Sequence, residues 1–468
     1  MRIRIILAAG IATAVALLGA GCGGGASSAS GGGTLGAGAS VAPASTVAFL
    51  AIDSDLGSSQ WQALNGLLAQ IPQHDALLAQ LRQSFERKTK LSWAGDVRPA
   101  LGPELDVAVL AGEGGAKPQA VLLTQPPDRA KLDALVRKLS AASGRTLVTG
   151  QVAGWSAVAE SRPSLDAVAS ATRHLADDTA YQEAIGKLAG DALVYAYANG
   201  AEAGKLVSAL PGAPAGRTRQ VVWAAADVVA KDRGLRVDGF VRSDAAGSAP
   251  EPYSSTLVRS IPAGALLVLD FQARHETASE PAPSSPLSGA LQRLGNALGG
   301  ESALYVSPGL PIPAVTLVTQ ASDPQAVVDA LNALVAAAAK GSSGGPAGGL
   351  DLGSLLGSIR LSHAVVGSNL VVSTSQQAID AFKGAGQKLA DDGTFAEART
   401  ASGMPDRTTG FLYVNLKDAL PVVQGLASLA GITLPAGGLD LGALRTLVAY
   451  GTGSTGGVSG FTAFLEVR

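Results

Sequence analysis

Apolar runs of strand length recur along the chain, each bounded by Gly, Pro or Asp. The first, residues 46–52, follows Pro43 and precedes Asp53. Runs of this length with such boundaries are typical of strands. In the first half the pattern predicts strands at residues 46–52, 105–110, 120–124, 145–149, 151–158, 192–198, 219–228 and 235–242. In the second half it predicts strands at residues 265–269, 302–306, 315–319, 360–365, 368–373, 409–414, 444–450 and 458–467.

Between these runs, apolar residues recur every three or four positions, which predicts amphipathic helices. The clearest faces are formed by Trp61, Leu64, Leu67 and Leu68, by Leu77, Leu78, Leu81 and Phe85, by Leu132, Leu135, Val136 and Leu139, and by Val327, Val328, Leu331 and Leu334. Tight turns near Gly150 and Gly367 join neighbouring strands, and such turns connect antiparallel strands. The predicted fold class is therefore α+β, a mixed and mainly antiparallel unit.

One stretch occurs twice. The sequence LADDTAYQEA begins at Leu175, and LADDGTFAEA begins at Leu389, 214 residues later. The predicted strands and helices follow the same order around both copies. This pattern predicts a tandem duplication with two similar lobes, a first repeat over residues 41–245 and a second over residues 246–468. The boundary is expected in the polar stretch 243–253, which contains Pro250 and Pro252.

The N-terminus indicates where the protein resides. Arg2 and Arg4 precede an apolar run over residues 5–18. This run has the length of a signal-peptide core and is short for a spanning helix. It ends in Leu-Gly-Ala-Gly before Cys22, which resembles the lipobox of bacterial lipoproteins, although the apolar residue stands one position further back than usual. We expect residues 1–21 to be a lipoprotein signal peptide and Cys22 to carry the lipid.

Cys22 is also the only cysteine, so the chain can form no internal disulfide. Residues 22–40 are expected to comprise this lipidated cysteine and a Gly/Ser-rich flexible tether. Acyl chains on one residue would hold the protein stably on the extracytoplasmic face of the cell membrane.

Composition excludes other partners. Apolar residues make up 47% of the chain and aromatic residues only 4%, so the cores must consist mostly of Ala, Leu and Val. Without Arg2 and Arg4, 33 basic residues face 37 acidic ones, a net charge of −4. This balance provides neither a basic footprint for nucleic acid nor a polybasic membrane patch.

Three features together resemble a known family: the opening over residues 43–52, the turn Leu101-Gly102-Pro103-Glu104-Leu105, and the LADD segment at the start of a helix. They are similar to the secreted bacterial family labelled domain of unknown function 3352. The resemblance covers most of the chain after the tether. It implies an envelope location and a duplicated α+β body, and it implies no reaction.

The repeated acidic pairs are the main candidates for chemistry. Paired carboxylates can perform acid/base catalysis or hold a divalent cation. The alternative is helix capping, because Thr179 and Thr394 begin capping-box spacings and acidic side chains favour helix N-termini. We favour capping, with the aromatic residues as inward anchors. The repeated structural motif is then Asp177, Asp178, Thr179, Tyr181, Asp391, Asp392, Thr394 and Phe395.

Other chemical signatures are weak. The four histidines, at positions 74, 174, 275 and 363, are scattered without metal-ligand spacing. No GxSxG motif indicates a nucleophilic serine, and the glycine-rich stretches lack the lysine of a phosphate-binding loop. The sequence therefore predicts no catalytic residue, metal site or cofactor.

Three functions remain open for the predicted envelope lipoprotein. We favour non-catalytic binding of an envelope protein partner or an apolar small molecule by a two-lobed extracytoplasmic body. The first alternative is a hydrolytic or metal-assisted enzyme whose residues meet only in the fold. The second is a structural or assembly protein of the envelope.

Overall fold

A computed structural model describes residues 35–112, 118–208, 221–244, 250–273, 285–309, 312–341, 360–429 and 441–468. Within these segments the chain forms two units. Unit 1 comprises the described residues up to 249 together with 454–462, and unit 2 comprises residues 250–453 with 463–468. The expected boundary between the repeats, at 245/246, adjoins residues 245–249, which lie outside the described part of the chain, and it stays a prediction.

The sheet of unit 1 is built from β1 (Thr46–Asp53), β2 (Glu104–Leu110), β3 (Gln119–Thr124), β4 (Val148–Val152), β5 (Trp155–Ala159), β6 (Val194–Asn199), β7 (Val221–Lys231) and β8 (Gly234–Ser243). The strands lie in the order β4-β5-β3-β2-β1-β6-β7-β8. Each neighbouring pair is antiparallel.

Unit 2 contains β9 (Leu267–Gln272), β10 (Glu301–Ser307), β11 (Ala314–Thr319), β12 (Ser362–Val366), β13 (Asn369–Ser373), β14 (Gly410–Asn415) and β15 (Leu444–Thr455), and β16 (Val458–Val467) follows β15. Their order is β12-β13-β11-β10-β9-β14-β15-β16. This is the order of unit 1 with every strand number raised by eight. The expected α+β class with mainly antiparallel strands is confirmed.

The α-helices are α1 (Ser59–Leu68), α2 (His74–Thr89), α3 (Arg129–Ser143), α4 (Arg162–Ala169), α5 (Thr179–Ile185), α6 (Gly200–Ser208), α7 (Pro286–Ala297), α8 (Pro324–Gly341), α9 (Gln376–Lys383), α10 (Gly393–Ser402) and α11 (Leu416–Leu429). Several of these helices are capped at the N-terminus by a side chain. Ser58 accepts from the amide of Trp61, and Asp128 accepts from the amide of Ala130. Among the described residues, no helix is long and apolar enough to cross a membrane.

Each unit buries apolar residues on both faces of its sheet because side chains alternate along the strands. In unit 1 the main core contains Phe49 and Trp223, and a second core lies under α3. In unit 2 the main core contains Tyr305 and Tyr413, and a second core lies under α8. Tyrosine and tryptophan thus contribute the largest buried side chains of cores that are otherwise rich in Ala, Leu and Val.

The predicted position of the first hairpin turn is wrong. The turn was expected near Gly150, but it lies at Ala153-Gly154, where φ is 45° and 86°. A two-residue hairpin needs positive φ at its central positions, and glycine supplies it most easily. Gly150 lies inside β4, where an added Cβ would approach Leu165 Cδ1 to 3.2 Å. Its small size therefore serves close packing against α4.

The end of the expected tether is also part of the fold. Residues Ala37–Ser40 form a 3-10 helix, and Ala39 is only 1% exposed. An added Cβ on Gly38 would lie 2.1 Å from Asp106 Oδ2. Gly38 therefore permits close approach of the backbone to β2, and the described fold begins before Pro43. The preceding residues, including Cys22, lie outside the described part of the chain.

Candidate functional site

The repeated acidic motif begins a helix in both units. Asp178 is the N-cap of α5, and its carboxylate accepts from the amide of Tyr181 at 3.0 Å. Asp392 is the N-cap of α10 and accepts from the amides of Thr394 at 2.8 Å and Phe395 at 3.2 Å. It also accepts from the amide of Gly264 at 2.8 Å. The two N-cap carboxylates are therefore occupied by backbone donors.

The threonines do not cap these helices, so the expected capping boxes are wrong. Thr179 is the first residue of α5, and Thr394 is the second residue of α10. Asp178 and Asp392 occupy the N-cap position immediately before each helix, so their carboxylates accept from the free amides of the first turn. Asp177 and Asp391, the other members of the acidic pairs, end short 3-10 helices and are exposed.

The aromatic residues of the motif pack into the cores. The Tyr181 ring lies 6.0 Å from Phe49 and 5.1 Å from Tyr197 between centroids, in edge-to-face contacts. Phe395 lies 5.8 Å from Phe411 and 5.1 Å from Tyr413 in unit 2. Such pairs stabilise a core beyond simple burial. Cap and anchor together fix α5 and α10 on their sheets.

Unit 1 contains a pair of neighbouring carboxyl groups, the half-buried Glu104 and the buried Asp106, which no sequence pattern predicted. Glu104 accepts from the amides of Gly36 and Ala37, and Asp106 accepts from the amide of Gly38 at 2.9 Å. Asp106 is fully buried. Burial, followed by the negative charge of Glu104 and a hydrogen bond with it, raises the pKa of Asp106 to about 9. Asp106 is therefore protonated at neutral pH.

Unit 2 holds a related cluster. Glu301 accepts from the amides of Thr256 at 2.7 Å and Leu257 at 3.0 Å. The Ser255 hydroxyl lies 2.8 Å from both Glu301 Oε1 and Asp270 Oδ2. Burial raises the pKa of Asp270 to about 6, although hydrogen bonds from Tyr253 and Ser255 oppose the shift. In both units a 3-10 helix is thus held by a glutamate at the start of a strand.

A sequence signal for these glutamates existed. Glu104 follows Leu-Gly-Pro, and Glu301 follows Leu-Gly-Gly, each just before a predicted strand. This similarity does not reveal what the glutamates bind. Their role depends on backbone donors more than forty residues away in the chain, which no local spacing reveals.

Unit 2 also contains an open pocket of about 380 Å³. One part of its wall is apolar, formed by Val258, Phe395, Met404 and Phe411. The remainder is formed by Ser254, Ser255, Arg259, Ala390, Arg399, Asp406 and Thr408. Ser255 connects this pocket to the buried carboxyl groups behind it. These carboxyl groups accept hydrogen bonds from the pocket wall and from the backbone, and the hydrogen bonds stabilise the wall.

Unit 1 has apolar side chains at the corresponding place. The 214-residue spacing that aligns Tyr181 with Phe395 aligns Ile185 with Arg399. Ile185 packs against the main core of unit 1, together with Leu35 and Leu188. The position that is an apolar packing residue in unit 1 is therefore a cation on the wall of a pocket in unit 2.

The histidines are not brought together. His174 bridges to Pro43, His363 lies on β12, and His74 begins α2. His275 lies outside the described residues. In the part of the chain that the structure describes, no group of three or more His, Cys, Asp and Glu side chains is placed to hold a metal ion.

Comparison of the chain with protein-family models and with curated proteins gives no match in either case, so the resemblance to the family labelled domain of unknown function 3352 stays a prediction.

Proposed function

We propose that this protein is a lipid-anchored, extracytoplasmic binding protein that takes up a small, largely apolar ligand. The anchor is the lipid on Cys22, supported by the basic and apolar residues before that cysteine. The binding site is the pocket of unit 2. Its volume lies within the range of small-molecule sites, which combine apolar walls with a few polar groups.

The two units descend from one duplicated unit in this proposal. The shared strand order and the 214-residue repeat support it. So does the recurrence of a 3-10 helix bound by a strand glutamate. One copy then kept its apolar packing at the position of Ile185, while the other acquired the pocket.

The observation that best supports the binding function is the difference between the two units at this aligned position. A residue that merely stabilises the fold could remain apolar in both. In unit 2 the aligned position contributes a guanidinium to an open cavity. The arginine and the aromatic side chains on this cavity wall support occupancy by another molecule.

Native mass spectrometry with solvent extraction tests the proposal on the chain from Gly23 onward, expressed in an envelope-competent host. We expect a discrete added mass that organic solvent releases. Ala390→Trp should abolish it, because Ala390 is exposed and lines the pocket. Ala396→Trp, on the exposed face of α10 outside the pocket, should retain it. A clean apo mass across several preparations contradicts ligand binding.

A hydrolytic enzyme is the second candidate because Ser255 lies on the pocket wall between two carboxyl groups. Ser255→Ala separates the candidates. If Ser255 is catalytic, the alanine variant should lose turnover of ester substrates while ligand binding persists. If Ser255 is structural, Ser255→Ala should lower stability, because the carboxyl pair of Glu301 and Asp270 loses the hydroxyl that lies between them.

A further inference from the structure

We infer that the ligand of this pocket is an amphipathic carboxylate, whose anionic group binds Arg399 and Arg259 and whose apolar body contacts Phe395, Phe411 and Met404. This inference rests on the proposed binding function and adds the chemical class of the ligand.

The hydrogen-bonding capacity of the Arg399 guanidinium is only partly satisfied within the protein. Its Nη2 lies 2.8 Å from Asp406 Oδ1, but the Asp406 side chain is 92% exposed. Ion pairs this exposed contribute little to stability. Arg399 Nε has no hydrogen-bond partner among the described residues. An arginine fork binds a carboxylate through two parallel hydrogen bonds, so a ligand carboxylate can replace Asp406 at small cost.

Arg259 supplies a second positive charge. It is exposed on the wall of the same pocket, and no carboxylate of the described segments lies within ion-pair distance of it. The other acidic groups nearby are occupied. Glu301 and Asp270 accept hydrogen bonds from Tyr253, Ser255, Thr256 and Leu257. The wall thus carries two arginines against the single carboxylate of Asp406, and this positive balance favours an anion over an amine.

The rest of the wall suits an apolar body. Phe395 is packed under the guanidinium of Arg399, which lies 5.9 Å from the ring centroid. Met404 is an adaptable apolar side chain that accommodates ligands of irregular shape. A charged head beside Arg399 thus places an attached chain directly against aromatic and thioether surface.

The comparison with unit 1 identifies Arg399 as the specificity residue. The aligned Ile185 packs on the core, which shows that this helix position accepts an apolar side chain. The arginine is therefore not required by the fold. It allows the pocket to distinguish an anionic amphiphile from a neutral one, which an apolar cavity does not do.

Calorimetric titration of the chain from Gly23 onward with decanoate, decanol and decyl phosphate tests the inference. We expect decanoate to bind about tenfold more tightly than decanol, as charge-assisted hydrogen bonds provide. Arg399→Met should remove this difference, and Arg399→Lys should retain part of it. Arg162→Met, at an exposed ion pair of unit 1, should leave it unchanged.

The outcomes separate the two proposals. If decanoate and decanol bind equally and Ala390→Trp blocks both, the proposed binding function is retained. The inference that the ligand is a carboxylate is then overturned. Tighter binding of decyl phosphate would also overturn the carboxylate. Absence of binding by all three probes, or binding that Ala390→Trp leaves unchanged, would contradict both proposals. Thermal melts of each variant must match the wild type for the comparison to stand.

Discussion

At the scale of single residues, the two N-cap aspartates differ in their partners. Asp178 accepts one backbone hydrogen bond and Asp392 accepts three. We expect Asp178→Ala to cost about 1 kcal/mol and Asp392→Ala about 2 kcal/mol in unfolding free energy. Asp→Asn at either position should cost much less, because asparagine also caps helices. Chemical denaturation followed by circular dichroism measures all four variants.

The neighbouring aspartates provide matched controls. Asp177 and Asp391 are exposed and lie outside the caps, so their alanine variants should change stability by no more than about 0.5 kcal/mol. All four tryptophans lie in unit 1, so tryptophan fluorescence follows the unit that contains Asp178. A loss of stability at Asp177 equal to that at Asp178 would contradict capping.

Asp106 makes the stability of unit 1 depend on pH. Its pKa is about 9 in the folded protein and 3.8 ordinarily, so the folded state binds the extra proton between these values. Stability should therefore fall as pH rises from about 4 to 9. Asp106→Asn mimics the protonated form and can still accept from Gly38. At pH 8 we expect the variant to exceed the wild type by at least about 1 kcal/mol.

Urea denaturation followed by tryptophan fluorescence at pH 5 and pH 8 measures this effect. The wild-type midpoint should drop more between the two pH values than that of Asp106→Asn. Asp166→Asn, at an exposed carboxylate of unit 1, should keep the wild-type slope. Parallel slopes for wild type and Asp106→Asn would show that Asp106 is ionised in the folded state.

At the scale of elements, the 3-10 helix before β1 is an integral part of unit 1. Removing residues 23–42 deletes the donors of Gly36, Ala37 and Gly38 and leaves Glu104 and Asp106 without them. We expect the chain that begins at Pro43 to be less stable than the chain that begins at Gly23 by at least about 3 kcal/mol. Tryptophan fluorescence during urea denaturation measures the difference.

The control for this truncation removes only residues 23–34, which precede the described part of the chain. The shortened chain that begins at Leu35 should retain wild-type stability. An equal loss in both truncations would contradict the assignment of the stabilising contacts to Gly36, Ala37 and Gly38.

Local signals predicted most strands and helices, because apolar periodicity and capping residues act over a few positions. They failed where the same glycine-rich or turn-like composition occurs both in flexible segments and in closely packed ones. Glycines near residue 36 are typical of a flexible tether, yet here Gly38 allows the backbone to approach Asp106. Likewise, Gly150 suggested a turn, although its small size accommodates Leu165. Composition alone does not distinguish flexibility from close packing.

The pocket could not be predicted in this way. It depends on residues 254–259 lying against residues 390–411, which are far apart in the chain. Periodicity identified Phe395 as an inward anchor, but not Arg399 beside it. Only the 214-residue offset between the two LADD segments draws attention to Arg399, because that offset pairs the arginine with Ile185.

At the scale of the whole molecule, the proposed anchor and the proposed pocket are separate functions of one chain. A lipid on Cys22 would hold the body at the membrane, where amphipathic molecules are concentrated. The pocket residues in unit 2 need no contact with that lipid for binding. Loss of the anchor should therefore change location and leave affinity for decanoate unchanged.

Cys22→Ser tests the anchor directly. The wild-type protein should fractionate with membranes, and its N-terminal peptide should carry the mass of acyl chains, because multiple chains on one residue hold a protein stably. The serine variant should lose the acyl mass, and any processed form should appear in the soluble extracytoplasmic fraction. Ala26→Ser, a neighbouring change that keeps the cysteine, should remain membrane-bound. An unmodified Cys22 in membrane-bound wild-type protein would contradict lipid anchoring, since the chain would then be held by some other contact.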